Sequence, residues 1–208
     1  MRAISTLEAR YWALAVVAFV LFAILGSLVS SRPPSAIDLA GATLRGEAPQ
    51  VASFFTALGR NLGIIVVAAA AAAIALIVRA NPLPVLGVLI AQVLSQAVVA
   101  AVKPLFHRLR PDHWLLYRET DLSFPSGHAT TSIVFFLSLA LLAQRLPNVS
   151  RPVAATLTTL AAICVVAIPW SRLALGAHYA TDVTGGLLFG TGTLCATIAL
   201  LFRFGALA

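Results

Sequence analysis

The chain has 208 residues, 60% of them hydrophobic and 10% charged, with a formal net charge of +7 and a mean hydropathy of +0.97. Soluble domains carry about 25% charged residues, so this composition excludes a water-soluble globular protein and leaves an integral membrane protein of one domain, residues 1–208. The positive charge does not indicate a nucleic-acid partner, because basic residues stand singly between apolar runs and form no stripe along a helix.

Six stretches approach the roughly 20 apolar residues that a spanning helix needs. They are 11–29, 62–78, 83–102, 129–143, 153–168 and 183–202, and none holds a charge. The expected fold is all-α, an integral membrane bundle of about six transmembrane helices. The fourth and fifth stretches are short, so their helices should run on into flanking polar residues. Ahead of the first stretch, Arg2 and Arg10 suggest a signal peptide. Its apolar run is too long for a signal core, however, and no small-x-small site follows, so it reads as a retained span.

Residues 30–61 open with Arg32-Pro33-Pro34, which stops a helix. Val51, Phe54, Phe55 and Leu58 then recur at i, i+3, i+4 and i+7, the pattern of one apolar helix face. That predicts an interfacial helix between the first two spans, serving as a lid or lipid-access rim, or else an N-terminal extension of the second span. Further on, an alanine run occupies 68–73. Gln92, Ser95 and Gln96 fall inside the third stretch, where hydrogen bonding between helices explains them. Cys164 and Cys195 sit in apolar runs and read as small buried hydrophobes with no disulfide role.

Orientation follows from loop charge. With the N-terminus inside, the cytoplasmic ends hold Arg2, Arg10, Arg79, Arg145, Arg151 and Arg203. The other side holds Arg32, Arg45 and Arg60, plus Lys103, Arg108, Arg110, Arg118 and Arg172. Setting the last five aside as charges kept for chemistry leaves six against three for N-terminus inside.

Three stretches are too polar for their surroundings. They are Lys103 to Pro111 at the end of the third span, Phe124-Pro125-Ser126-Gly127-His128 before the fourth, and Ser171-Arg172 with His178 and Asp182 between the fifth and sixth. In a six-span chain all three emerge on one side. Lys103, Arg110 and Arg172 supply cations, and arginine forks onto phosphate oxygens. Ser126 and Gly127 start a helix, where free amides favour an anion, and Gly127 lets the backbone come close. His178 and Asp182 are four apart and share a face of a helical turn, so the carboxylate can hold the imidazole's tautomer. His128 is a second imidazole suited to proton transfer. Two histidines, a carboxylate and a cationic cradle describe phosphoryl transfer through a phosphohistidine. His107, Arg108, Asp112, His113, Arg118, Glu119 and Asp121 crowd the neighbouring loop and read first as a solvated loop, with headgroup reading or pocket sealing as the alternative.

The pattern KxxxxxxRP, PSGH and SRxxxxxHxxxD resembles the signature of the type 2 phosphatidic acid phosphatase (lipid phosphate phosphatase) superfamily, in its bacterial membrane-embedded branch. Every fixed position matches: Lys103, Arg110, Pro111; Pro125, Ser126, Gly127, His128; Ser171, Arg172, His178, Asp182. The resemblance implies that His178 attacks phosphorus and Asp182 orients it, while His128 protonates the leaving oxygen and then activates water. It implies that Lys103, Arg110, Ser126, Gly127 and Arg172 hold the phosphoryl oxygens, with Ser171, Pro125 and Pro111 in support. No cofactor or metal is implied. Vanadium haloperoxidases share the signature but are soluble, which this composition excludes.

The expected activity is hydrolysis of a lipid phosphate. Candidate substrates are an undecaprenyl or decaprenyl (di)phosphate, phosphatidylglycerol phosphate or phosphatidate. The expected site faces the extracytoplasmic side of the cytoplasmic membrane, with the bilayer and its lipid phosphate as partners and no nucleic acid. A lipid phosphotransferase and a non-catalytic lipid-phosphate binding or transport protein are the competing readings.

Overall fold

The computed structural model describes residues 6–30, 32–112, 115, 119–145 and 149–203. Arg2, His113 and Arg118 lie outside the described residues. Every regular element described is helical: α1 (Thr6–Val29), α2 (Ala36–Ala42), α3 (Pro49–Leu58), α4 (Asn61–Ile77), α5 (Leu83–Phe106), α6 (Gly127–Ala143), α7 (Arg151–Ala174) and α8 (Ala180–Arg203). Residues Ser132–Leu137 of α6 form a π-helical stretch.

α1, α5, α7 and α8 have 24 residues each. At about 1.5 Å per residue each is roughly 36 Å long, enough for the ~30 Å hydrocarbon layer. α3 and α4 together pass the same length-and-apolarity test but meet at a 65° bend, and α6 is too short to pass it. Four described helices, or five with the bent pair counted as one, thus pass this test of length and apolarity, against the six spans expected. All six apolar stretches are helical but for Val78, which caps α4; the fourth extends back over His128 and the fifth into polar residues at both ends, as expected.

Residues 30–61 hold two helices rather than one. α2 is fixed by a capping box, in which the Ser35 hydroxyl accepts from the Asp38 amide and the Asp38 carboxylate accepts from the Ser35 amide. α3 does not bury the apolar face that its sequence displays. Ala52 and Thr56 point inward, Phe55 and Leu58 pack at the edge of a core cluster, and Val51 and Phe54 are exposed. The small pair wins because α3 lies close against α7, where bulkier side chains do not fit.

The bundle is inverted relative to a soluble protein. Ile77, Leu105 and Val166 are each over 70% exposed, whereas Lys103, Arg108, Arg110, Arg172 and Asp182 are buried. Lipid replaces water as the outer solvent, so packing between helices depends on close approach of small residues. α1 runs along α8, with Gly192 against Phe19. At the other end, Gly186 of α8 meets the Ser126 carbonyl, where a Cβ would stand only 2.3 Å from the oxygen. A cluster of Phe22, Phe106, Phe124 and Phe189, with ring centroids 4.9–5.6 Å apart, forms the floor beneath this turn.

Candidate active site

The three polar stretches meet at one end of the bundle. α5 delivers Lys103 in its last turn and ends at His107, which takes a left-handed conformation that turns the chain back. α6 begins at Gly127, with Ser126 as its N-cap. α7 carries Ser171 and Arg172, and the turn into α8 carries His178 ahead of Asp182. The Ser126 amide donates to the Asp182 carbonyl at 3.0 Å, tying the α6 start to the α8 start.

His178 is buried among three partners. Its Nδ1 lies 3.4 Å from Asp182 Oδ2 and 3.4 Å from Ser123 Oγ, and its Nε2 lies 2.9 Å from Arg110 Nη1. Burial first, then the charges of Arg110, Arg172 and Lys103, hold the imidazole well below the usual histidine pKa. The ring is neutral near pH 7, so a lone pair is available on one nitrogen. Asp182 is fully buried and saturated with donors: Arg108 Nη1 at 2.6 Å, the Tyr179 amide at 2.8 Å and the Ser123 hydroxyl.

Arg108 continues this network away from His178. Its Nη2 lies 2.8 Å from Asp38 Oδ2, its Nη1 donates to Thr181 Oγ1, and its guanidinium sits 4.5 Å from the Tyr179 ring centroid. Asp38 also accepts from the Thr181 amide at 2.9 Å and hydroxyl at 2.7 Å. Burial opposes ionisation of Asp38, but the bonds from Thr181 and Ser35 outweigh it and its pKa falls. Arg108, only 3% exposed, is thus no part of a solvated loop. The sequence reading takes Arg108 first as solvated loop, with pocket sealing as the alternative, and does not single out Asp38, Ser123 or Thr181. The one available signal for Arg108 was a charge two residues before Arg110 in an otherwise site-bound segment.

His128 lies on the opposite wall. Its ring has the Thr56 backbone carbonyl within hydrogen-bonding reach, while its buried Nε2 has no partner among the described residues. That unpartnered Nε2 is left for chemistry. Gly59, at the α3–α4 bend, makes room for the ring, because a Cβ there would stand 2.8 Å from His128 Cδ2.

Four cations surround the space between the histidines, and two carboxylates hold them. Glu119 pairs with Arg110 at 2.8 Å, Arg172 at 2.9 Å and Arg60 at 3.6 Å. Asp121 pairs with both Lys103 and Arg110, and Lys103 also donates to the Leu122 carbonyl at 2.7 Å. Burial works against the Asp121 carboxylate, but Lys103 and Arg110 outweigh it and hold its pKa below the usual range. Glu119 and Asp121, like Arg108, were expected first as solvated loop; here they close the cradle.

The remaining expected site residues take supporting positions. Ser126 is fully buried and its hydroxyl accepts from the Ala129 amide at 3.4 Å, so it caps α6 rather than facing the open space. Ser171 bonds Thr56 at 2.8 Å and the Ile168 carbonyl at 2.7 Å, bracing the turn that carries Arg172. Pro125 and Pro111 are buried. A cavity of about 460 Å³ joins Lys103, Arg110, Gly127, His128 and His178 and continues down between α4, α5 and α6.

Comparison with known proteins bears on the family and the fold. A family model described as the PAP2 superfamily matches residues 84–206. Phosphatidylglycerophosphatase B of Bacillus subtilis is 34% identical over 90 residues, covering 43% of this chain and 44% of that protein. A lipid A 1-phosphatase of Rhizobium johnstonii is 31% identical over 125 residues, covering 55% and 47%. Decaprenylphosphoryl-5-phosphoribose phosphatase of Mycobacterium tuberculosis is 34% identical over 100 residues, covering 46% and 49%. The alignments thus span about half the length of these curated relatives. The crystal structure of a transmembrane PAP2-type phosphatidylglycerolphosphate phosphatase from Bacillus subtilis shares the fold, with a TM-score of 0.71 and 24% identity over 92% of this chain and 96% of that one.

Proposed function

This chain belongs to the PAP2 superfamily, and from that membership and the site geometry we propose that it hydrolyses the phosphate of a membrane lipid through a phosphohistidine on His178. The observation that carries the reading is a buried, neutral His178 with one nitrogen beside a saturated carboxylate and the other facing a ring of cations.

The steps follow from the contacts. The substrate phosphoryl group takes the place of the Glu119 and Asp121 carboxylates against Lys103, Arg110 and Arg172. Arg110 Nη1 moves from His178 Nε2 to a phosphoryl oxygen, freeing the lone pair that attacks phosphorus. As the P–N bond forms, the bond from phosphorus to the lipid oxygen breaks, and His128, which enters the step as the imidazolium beside the bound phosphate, gives its Nε2 proton to that oxygen. Asp182 stabilises the imidazolium character that grows on His178, and Arg108 balances the carboxylate's charge. Water then attacks phosphorus, His128 recovers a proton, and the P–N bond breaks to release inorganic phosphate. The cations and the Gly127 amide stabilise the transferring group throughout, so the reaction is proposed to need no metal.

The site end of the bundle is assigned to the extracytoplasmic face of the cytoplasmic membrane. Support comes from the opposite end, where Tyr11 stacks on Phe202, so their neighbours in sequence Arg10 and Arg203 lie at the same end of the bundle, basic residues of the kind retained in the cytoplasm. Arg60 beside Glu119 also belongs with the site charges, which sharpens that balance. A tag at Ala208 should be inaccessible in intact cells; external access overturns the orientation.

The deciding experiment is phosphate release by the purified chain, with chelator, from phosphatidate, phosphatidylglycerol phosphate and prenyl phosphates. Release that survives chelation and falls about 10³-fold or more in His178→Ala, together with an acid-labile phosphoenzyme trapped in the wild type alone, is expected. Full activity in His178→Ala would sink the nucleophile assignment. Phosphate moved to a second molecule, with none released, would make the chain a phosphotransferase.

A further inference from the structure

The cavity does not end at the phosphate cradle. One helical turn below Gly127, on the side of α5, it is lined by Gln92, Gln96 and Thr131. Gln96 Nε2 donates to the Gly127 carbonyl at 3.2 Å and to Thr131 Oγ1 at 3.3 Å, both long contacts. Gln92 Nε2 donates to the same Thr131 oxygen at 2.7 Å. Gln92 is 2% exposed, yet its Oε1 has no hydrogen-bond partner among the described residues. Buried side-chain acceptors are rarely left unpaired. Bonding between helices, expected from the sequence, thus accounts for the amide nitrogens and leaves this oxygen over.

Position gives the shelf its meaning. Thr131 follows Gly127 by four residues, so it lies about 6 Å deeper along α6. With phosphorus between His178 and the Gly127 amide, the shelf faces the first few atoms of the leaving group. Leu62, Ile64, Val99 and Ala100 give the cavity its apolar wall, with Asn61 at the start of α4 also in the lining. Two amides and a hydroxyl can each donate or accept, so the shelf suits hydroxyl or ester oxygens held two or three bonds behind the scissile one. A glycerol unit carries oxygens at that place. A prenyl chain brings only carbon and hydrogen there, and would leave Gln92 Oε1 unpaired in an apolar cavity.

We propose that Gln92, Gln96 and Thr131 form a second subsite that selects glycerolipid phosphates over prenyl phosphates. The inference rests on the phosphatase reading above and names the substrate class of the same site. The three side chains act on specificity, binding the leaving group's oxygens rather than the phosphate.

The test compares lysophosphatidate with farnesyl phosphate in mixed detergent micelles. The wild type should favour the glycerolipid in kcat/KM by about tenfold or more. Gln92→Leu and Thr131→Val should each reduce that ratio severalfold, through a higher KM for lysophosphatidate. Gln96→Met, which keeps the side-chain length, should do the same. Wild-type preference for farnesyl phosphate, or a ratio that the three variants leave unmoved, overturns the subsite while the phosphatase reading stands. If the variants lose both activities alike while the wild type hydrolyses both lipids, the glutamines are structural and the proposal also fails. A wild type that hydrolyses neither lipid instead defeats the phosphatase reading itself.

Discussion

Replacing Asp121 by asparagine should tighten the protein's grip on phosphate. The Asp121 carboxylate bonds both Lys103 and Arg110, two cations that a phosphoryl group must also use. Its own side chain is 54% exposed, whereas those of Lys103 and Arg110 are only 10% and 5% exposed. An unscreened Coulomb sum for two such contacts would reach many kcal/mol, but half-exposure brings each closer to the ~0.5–1 kcal/mol of solvent-screened pairs. Removing the charge should thus lift about 1–2 kcal/mol of competition, equivalent to a roughly 5- to 30-fold lower Ki for inorganic phosphate. KM for the lipid should fall in parallel, and kcat should fall too if phosphate release limits turnover. Because the Asp121 pKa is held below its usual range, the wild-type carboxylate is charged throughout pH 5–8 and the ratio should not vary there. The assay is product inhibition of phosphate release, wild type against Asp121→Asn, at fixed ionic strength. An unchanged Ki, or a weaker one, would show that Asp121 organises Lys103 and Arg110 for the substrate instead of standing in for it.

Other expectations follow from single contacts. Arg108→Met leaves Asp38 and Asp182 buried without their shared cation, and breaking such a pair costs about 3–5 kcal/mol; thermal unfolding in detergent should show a large drop, and an unchanged midpoint would refute the buried network. Gly186→Ala drives a Cβ to within 2.3 Å of the Ser126 carbonyl, so the start of α6 must shift, at about 1–3 kcal/mol and with loss of kcat; wild-type kcat in this variant would show that the turn is not held by that contact. In ¹⁵N-histidine spectra, the signal that vanishes in His178→Ala should remain that of a neutral ring as pH falls through 6.5, the ordinary histidine midpoint, because burial and Arg110 depress its pKa. The sign carries to stability: the unfolded ring gains a proton near pH 6.5 that the folded ring refuses, so the His178 contribution is intact above that pH and lost as pH falls. A His178 signal titrating at or above 6.5 would contradict this.

The sequence by itself determined the solvent and the helices, and it marked the three polar stretches that the structure brings together. Apolar run length sets a spanning helix because an unsatisfied backbone in lipid is costly, and that signal is local. The motif residues were legible for the same reason, since polar groups at the ends of apolar runs have few structural excuses. Spacing alone placed His178 and Asp182 on one helical face, and the structure sets them 3.4 Å apart. What the sequence could not decide was which charges pair with which. Asp38 meets Arg108 across 70 residues and Thr181 across 143, and no periodicity reports a contact of that range. Glu119, Asp121 and Arg108 looked like polar loop residues because composition does not separate a solvated charge from a buried one. Only the tertiary structure, by closing α2 and the 119–123 segment over the ends of α5, α7 and α8, removed water from Arg108 and set Glu119 and Asp121 against buried cations. Once water was gone, each charge needed a partner within about 3 Å, and that requirement converted a polar loop into the wall of the site.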